Sequence, residues 1–403
     1  MKHFSALSFL ALFSITAHAQ ECADGRYIDA NHFGAVTITS AVTFGANTAV
    51  AGGNQILKMD VYEPTGDALA LRPAVLVAFG GSFITGSRAD VADICTDFAK
   101  RGYVAVGYDY RVGFFLPNQT TTTRAVMRGA HDTRACVRYL HKSVAELGNP
   151  YGIDTTRIII GGVSAGAISA VHATYLNEDS EIPAWIAGEM PGLGGLEGNS
   201  GNPGYSSVPL ACYSFSGCIG DTSWINTGDQ PLVSLHEVGD GVVPYYTQEV
   251  SVAGIPTGLI ASGSHDIHER ANHVGLVNCF KSYPGTGHVG YLTSDYVVAM
   301  NYTALFLGQV VCGQEVTCDL NTAVAEVTTR ELLPAPNPTT GVFRMELPEA
   351  AVITVLDVSG RVVLVQRAVP GVAVVDLSAN PVGVYAVQVM GEVVRNYRVV
   401  RGE

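Results

Sequence analysis

Charge is scarce in this chain. Asp, Glu, Lys and Arg make up only 15% of its 403 residues, and Lys and Arg nowhere gather into a run. The formal net charge is −13. An electrostatic footprint for nucleic acid is therefore missing, and an anionic membrane surface would repel the chain. Beyond the N-terminal region no segment keeps about twenty apolar residues together, so no transmembrane helix is expected. No cysteine pair has CxxC spacing and no His-rich tract flanks one, which argues against zinc. No metal or organic cofactor is implied.

Apolar residues and glycine are plentiful instead: 47% of the chain is hydrophobic and 45 residues are glycine. That is the make-up of a well-buried globular protein with room for one large α/β domain and an appendage. The chain begins "MKHFSALSFLALFSITAHAQEC". Lys2, the apolar stretch Phe4 to Ile15 and the small-x-small site Ala17-His18-Ala19 read as a secretory signal peptide over residues 1–19. Eight cysteines in an exported protein suggest disulfides. Cys212 with Cys218, and Cys312 with Cys318, are each close enough in sequence to close a short loop.

Along the chain, "AVTITSAVTF" reads as hairpin material. "PAVLVAFGG", "YVAVGYDYR", "RIIIGG" and "PLVSLHEVGD" read as buried strands. They alternate with the helical patterns "VADICTDFAKRG", "RGAHDTRACVRYLHKSVAEL" and "AGAISAVHATYL". This predicts βαβ units: a mostly parallel sheet with helices on both faces. Function in such sheets collects in loops at the carboxyl ends of strands. The Gly/Ser/Pro-rich stretch from Asn177 to Gln230 is expected to run over the sheet top as a lid or substrate wall. Past Cys312 the pattern turns β-rich around a "PAPNP" boundary. The expected division is a catalytic domain over 20–312, a linker over 313–332 and a small β-sandwich over 333–403.

"GGVSAG" sets Ser164 between a β-branched strand and a small-residue helix, where a nucleophile elbow belongs. A plain tight strand–helix turn would look similar, so the partners matter. A serine needs a base and the base an orienter, in the chain order serine, acid, histidine. Asp240 in "EVGDGVVP" and His288 in "PGTGHVGY" meet that order, each in a glycine-rich loop. Among rival histidines, His172 reads as helix packing and His236 as a strand end. His265 and His268 read as a solvated helix face, and His273 carries no motif of its own. Glu237 is the serious rival acid; Asp229 lies at the wrong end of its strand. "AFGGSF" offers an oxyanion hole from the N–H groups of Gly81 and Ser82, completed by that of Ala165.

These pieces, spanning Leu57 to Tyr291, resemble the α/β-hydrolase superfamily, in particular carboxylesterase and lipase branches with an HGGGF-type oxyanion loop. The resemblance implies a serine esterase with Ser164, Asp240 and His288 as its triad. Phe79 stands where that motif has its histidine, and Ser82 where it has its third glycine; the backbone donors survive both changes. The C-terminal part ("PAPNPTTGVF", "ITVLDVSGRVV", "GVYAVQV") resembles the sorting domain of type IX secretion substrates. That implies a partnership with secretion machinery and a secreted or cell-surface destination. The expected function is a secreted serine carboxylic-ester hydrolase acting on a small or polymeric ester. A peptidase or amidase with the same triad, or a non-catalytic binding protein on a hydrolase scaffold, are the alternatives.

Overall fold

The structure, a computed structural model, describes residues 21–22, 24–320, 334–347, 350–391 and 394–402. The signal peptide expected over 1–19 lies outside the described residues. The chain forms two compact units, one within residues 1–323 and the other within 324–403.

The first unit is built on an eight-stranded sheet. β1 (Val36–Thr48) and β2 (Asn54–Pro64) form the expected hairpin. β3 (Arg72–Ala78) and, after helix α1 (Ala92–Lys100), β4 (Val104–Tyr108) are buried at every residue. Continuous apolar runs of this kind suit central strands covered on both faces. Helix α2 (Gln119–Glu146) starts at Asn118, whose side chain accepts from Thr121 N at 3.0 Å as an N-cap. β5 (Ile153–Val163) then leads into α3 (Ala165–Tyr175). β6 (Ala211–Phe215), a short β7 (Cys218–Ile219) and β8 (Leu232–Glu237) follow. Next come a β9 (Gln248–Val252) and β10 (Ile255–Gly263) hairpin, α4 (Ser264–His273), β11 (Asn278–Tyr283) and α5 (Tyr296–Val311). The strand order is β1-β2-β4-β3-β5-β6-β8-β11. Within it β4, β3, β5, β6, β8 and β11 pair in parallel, while β1 and β2 join antiparallel. Helices pack on both faces, as expected.

Two expectations change. The Asn177–Gln230 stretch is not all excursion: Ala211–Phe215 is a buried strand of the main sheet, between β5 and β8. The cysteines also pair differently. Cys22 bonds Cys312 and Cys279 bonds Cys318. Cys95, Cys136, Cys212 and Cys218 are free thiols buried in the core, where they act as small apolar groups. Cys318 draws the first unit past Cys312, and residues 313–320 belong to it; the rest of the expected linker lies outside the described residues.

Arg101, fully buried, ties the first unit's ends to its core. It donates to Asp97 at 2.5 Å, to Asn301 at 2.9 Å and to the carbonyl of Ile28. No helix among the described residues is long and apolar enough to cross a membrane.

The second unit has two small antiparallel sheets. β12 (Val342–Leu347) pairs with β15 (Gly371–Asp376). β14 (Val362–Ala368), β13 (Ala351–Leu356), β16 (Gly383–Met390) and β17 (Val394–Arg401) make the other. Phe343, Ile353, Val355, Val375 and Val387 fill its core from alternating strand positions.

The Cys22–Cys312 bond spans 290 residues, so opening it frees a long unfolded chain. Cys22→Ser with Cys312→Ser is expected to destabilise the first unit by about 2–4 kcal/mol, read as a lower urea midpoint under non-reducing conditions.

Candidate active site

Ser164 sits at the end of β5 with φ 54° and ψ −119°, a strained backbone for any residue but glycine. Its N–H donates to Phe215 O at 2.8 Å, and its carbonyl accepts the first turn of α3 from Ile168 N at 2.9 Å. The turn is possible because its flanks lack side chains. A Cβ on Gly162 would lie 2.4 Å from Ala78 O, and one on Gly166 2.3 Å from the same oxygen. Strand and helix thus close on β3 as the elbow reading requires.

The structure brings Ser164, His288 and Asp240 together. The Ser164 hydroxyl donates to His288 Nε2 at 2.8 Å, and His288 Nδ1–H donates to Asp240 Oδ2 at 2.7 Å. Each follows a different parallel strand: β5, β11 and β8. Asp240 Oδ1 accepts from the N–H groups of Val242 and Val243 at 2.8 and 3.0 Å. Burial alone would push the Asp240 carboxyl up. Hydrogen bonds from His236, His288 and these two N–H groups outweigh it and hold the acid well below the usual carboxylate range.

Glu237, the rival acid, accepts from Gly290 N at 3.0 Å instead of touching the His288 ring. Its carboxylate fills space that a Cβ on Gly287 would enter, at 2.8 Å. It braces the loop that carries the base. His172 donates through Nδ1 to Ile168 O at 2.8 Å and accepts at Nε2 from Gly220 N at 3.2 Å, and burial pulls it down to about 4. His268 stacks on Phe280 with centroids 4.8 Å apart, and His265 binds its neighbour Asp266. Asp229 caps its own loop through Asn226 N.

Gly81, Ser82 and Phe83 all have left-handed backbone (φ 121°, 54° and 60°), so successive N–H groups turn the same way. Ser82, Phe83 and Ala165 line the cavity that holds Ser164, and the Gly81 carbonyl accepts from Ile84 N and Thr85 N. Phe79 is buried, stacked on Tyr110 at 4.2 Å, and its carbonyl accepts the Tyr110 hydroxyl at 2.9 Å.

The serine's cavity is narrow, about 80 Å³, and mainly apolar. Val126, Ile168, Val243, Val250, Val252 and Leu259 form much of its wall. The β9–β10 hairpin supplies part of it, a wall that no sequence signal had marked. Val126, His172, Gly220 and Leu259 also line a larger neighbouring cavity of about 330 Å³. Trp185 and Trp224, the chain's two tryptophans, border that second space.

Residues 59–201 match the BD-FAE family model, and residues 335–397 match that of the secretion system C-terminal sorting domain. The first match falls within the first unit and the second within the C-terminal unit. The first matched span holds Gly81, Ser82, Ser164 and Ala165; Asp240 and His288 lie beyond it. Among solved structures the chain is similar to Thermogutta terrifontis esterase 2 phosphorylated by paraoxon, at 20% identity. The match covers 68% of this chain and 93% of that one, with a TM-score of 0.47. A propionate-bound Est2 structure from the same organism is similar at 22% identity, covering 66% and 94%, with a TM-score of 0.47.

Gly166→Ala is expected to abolish the elbow geometry and to destabilise by about 2 kcal/mol, measured by urea unfolding beside an ester assay. Asp240 is held below its ordinary value, so its ionised form stabilises the fold above about pH 4, and that contribution is lost as pH falls. The stability gap between wild type and Asp240→Asn should therefore be flat near neutrality and shrink below about pH 4, read by urea midpoints across pH.

Proposed function

We propose that the protein is an exported serine carboxylic-ester hydrolase working through an acyl-enzyme on Ser164. The observation that carries this reading is the continuous hydrogen-bonded chain Ser164–His288–Asp240 at the mouth of an apolar cleft. His288 takes the serine proton as Oγ attacks the ester carbonyl. The oxyanion is met by the N–H groups of Ala165 and of the Gly81–Ser82 turn, at the positive end of α3. His288 then returns the proton to the leaving alcohol. A water activated by the same imidazole cleaves the acyl-enzyme, while Asp240 keeps Nδ1 protonated and stabilises the imidazolium.

The narrow cavity beside Ser164 suits a short acyl group. The larger cavity, edged by Trp185 and Trp224, suits the bulkier half of the ester. Its apolar wall favours an ester over a peptide, which would need polar partners for its backbone. The signal sequence and the sorting tail support export past the outer membrane to the surface or medium.

Ser164→Ala is expected to lower kcat on p-nitrophenyl acetate by about 10³-fold or more. Wild type should cleave acetyl and propionyl esters at least about tenfold better in kcat/KM than the octanoyl ester, given an acyl pocket this small. Full turnover by the alanine variant would overturn the nucleophile. A preference for the long chain would overturn the assignment of the pockets.

A further inference from the structure

Asp240 serves two imidazoles. His236, four residues earlier at the end of β8, is fully buried, and its Nε2 lies 3.2 Å from Asp240 Oδ2. That is the oxygen that also accepts from His288. Nε2 is also 3.3 Å from Val243 O. A carboxylate and a carbonyl both accept, so Nε2 carries the proton. On the far side of the ring, Nδ1 is 2.8 Å from Ser264 Oγ, at the start of α4. The hydroxyl's other acceptor, Gly217 O, is 3.3 Å away. The hydroxyl bridges Nδ1 and Gly217 O, so both ring nitrogens of His236 have partners. Five side chains run in one line: Ser264, His236, Asp240, His288 and Ser164.

We infer that His236 is a positioning residue for the proposed hydrolysis: it aims Asp240 Oδ2 at His288 and takes a share of the carboxylate's charge. The inference rests on the reading of Ser164, His288 and Asp240 as a catalytic triad. The Asp240 side chain is fully buried, and a buried carboxylate must be saturated with donors. Val242 and Val243 hold Oδ1; on Oδ2 His288 donates at 2.7 Å, and His236 Nε2, which also faces Val243 O, stands 3.2 Å away. Removing His236 would leave Oδ2 with one donor and let the group swing about its Oδ1 anchor. The charge left on Oδ2 would then fall wholly on His288, favouring its imidazolium and moving the base's working range to higher pH.

The groups around this pair leave that role to His236. Tyr245 meets its ring edge-on at 5.5 Å and shares a hydrogen bond with the Ser282 hydroxyl at 2.6 Å. The Cys218 thiol from β7 is pushed up to about 12, first by burial and then by the Asp240 charge. Tyr291 donates to Leu235 O at 2.9 Å, and burial holds it protonated. Glu237 is turned to Gly290 N, and His265 on α4 to Asp266. Among these residues no Lys or Arg faces the carboxylate.

The test is the pH profile of kcat/KM on p-nitrophenyl acetate for full-length wild type, His236→Phe, His236→Gln and Ser164→Ala, each with its Tm. Phenylalanine keeps the ring's bulk, and Ser264 can fall back on Gly217 O. The Phe variant should lose about tenfold or more in kcat with KM within about twofold, and its acid limb should move up by about half a pH unit. Glutamine, whose amide N–H can reach Asp240, should recover most of both. A purely structural role would lower Tm alone. A folded Phe variant with the wild-type limb and kcat would overturn the inference, as would a Gln variant no better than Phe. If the Phe variant does not fold, ring-¹⁵N histidine spectra decide: Asp240→Asn should move two imidazole N–H resonances, and movement of only one would overturn the inference. Failure of the triad itself is separable, because it would appear as full turnover by Ser164→Ala.

Discussion

The carbonyl oxygen of Ala78 occupies the space that a side chain on Gly162 or Gly166 would need. That contact sets how closely the β5–α3 turn approaches the end of β3, and the rest of the site depends on it. It lets Ser164 take a backbone that costs on the order of 1–3 kcal/mol in isolation. It also brings the turn after β3, with its run of left-handed residues, beside the first N–H groups of α3. Relaxing the contact would move Ser164 and the N–H groups proposed as oxyanion donors together, since both are measured from the same carbonyl.

Around that fixed point Asp240 and His288 are set by opposite means. Asp240 is immobilised by donors: two backbone N–H groups on one oxygen and the His288 imidazole on the other, with His236 Nε2 3.2 Å from that same oxygen. His288 is partly open to solvent and held chiefly through its loop. Val238 N reaches Tyr283 O, Gly239 N reaches Gly285 O, and Glu237 grips Gly290 N. The loops after β8 and β11 are therefore laced to each other before the side chains of Asp240 and His288 are counted. Glycines at 287 and 290 leave the space that the Glu237 carboxylate fills, which accounts for the acid's placement.

Much of this was legible in the sequence, for a physical reason. The parallel core announces itself as unbroken apolar runs at β3, β4 and β5. Ser164, Asp240 and His288 stand in glycine-rich loops in an order that only one topology makes useful. What escaped notice depended on distance. β6 is five residues, "ACYSF", inside a Gly/Ser/Pro-rich stretch, too short to show a period. The β9–β10 hairpin is polar and largely exposed along one face, and only its inner residues meet the cleft. His236 looked like the end of a strand because its value lies in what faces it: Asp240 one turn on and Ser264 from another element. Cys22 and Cys312 are neighbours only after the sheet has closed. Short spacings such as Cys312 to Cys318 suggested pairs that the fold does not make.

The Cys22–Cys312 bond also has a topological consequence. Every strand of the main sheet and every residue of the proposed site lies between those two cysteines, so this body is one covalently closed ring. Cys279–Cys318 adds a second, smaller loop that overlaps its end. A single backbone cut in any loop of this ring releases no fragment while the bonds stay oxidised. A cut between 321 and 333 does the reverse, detaching the C-terminal unit without touching either disulfide. The chain is thus divided, by bond connectivity alone, into a part that tolerates nicking and a part that is severed by it.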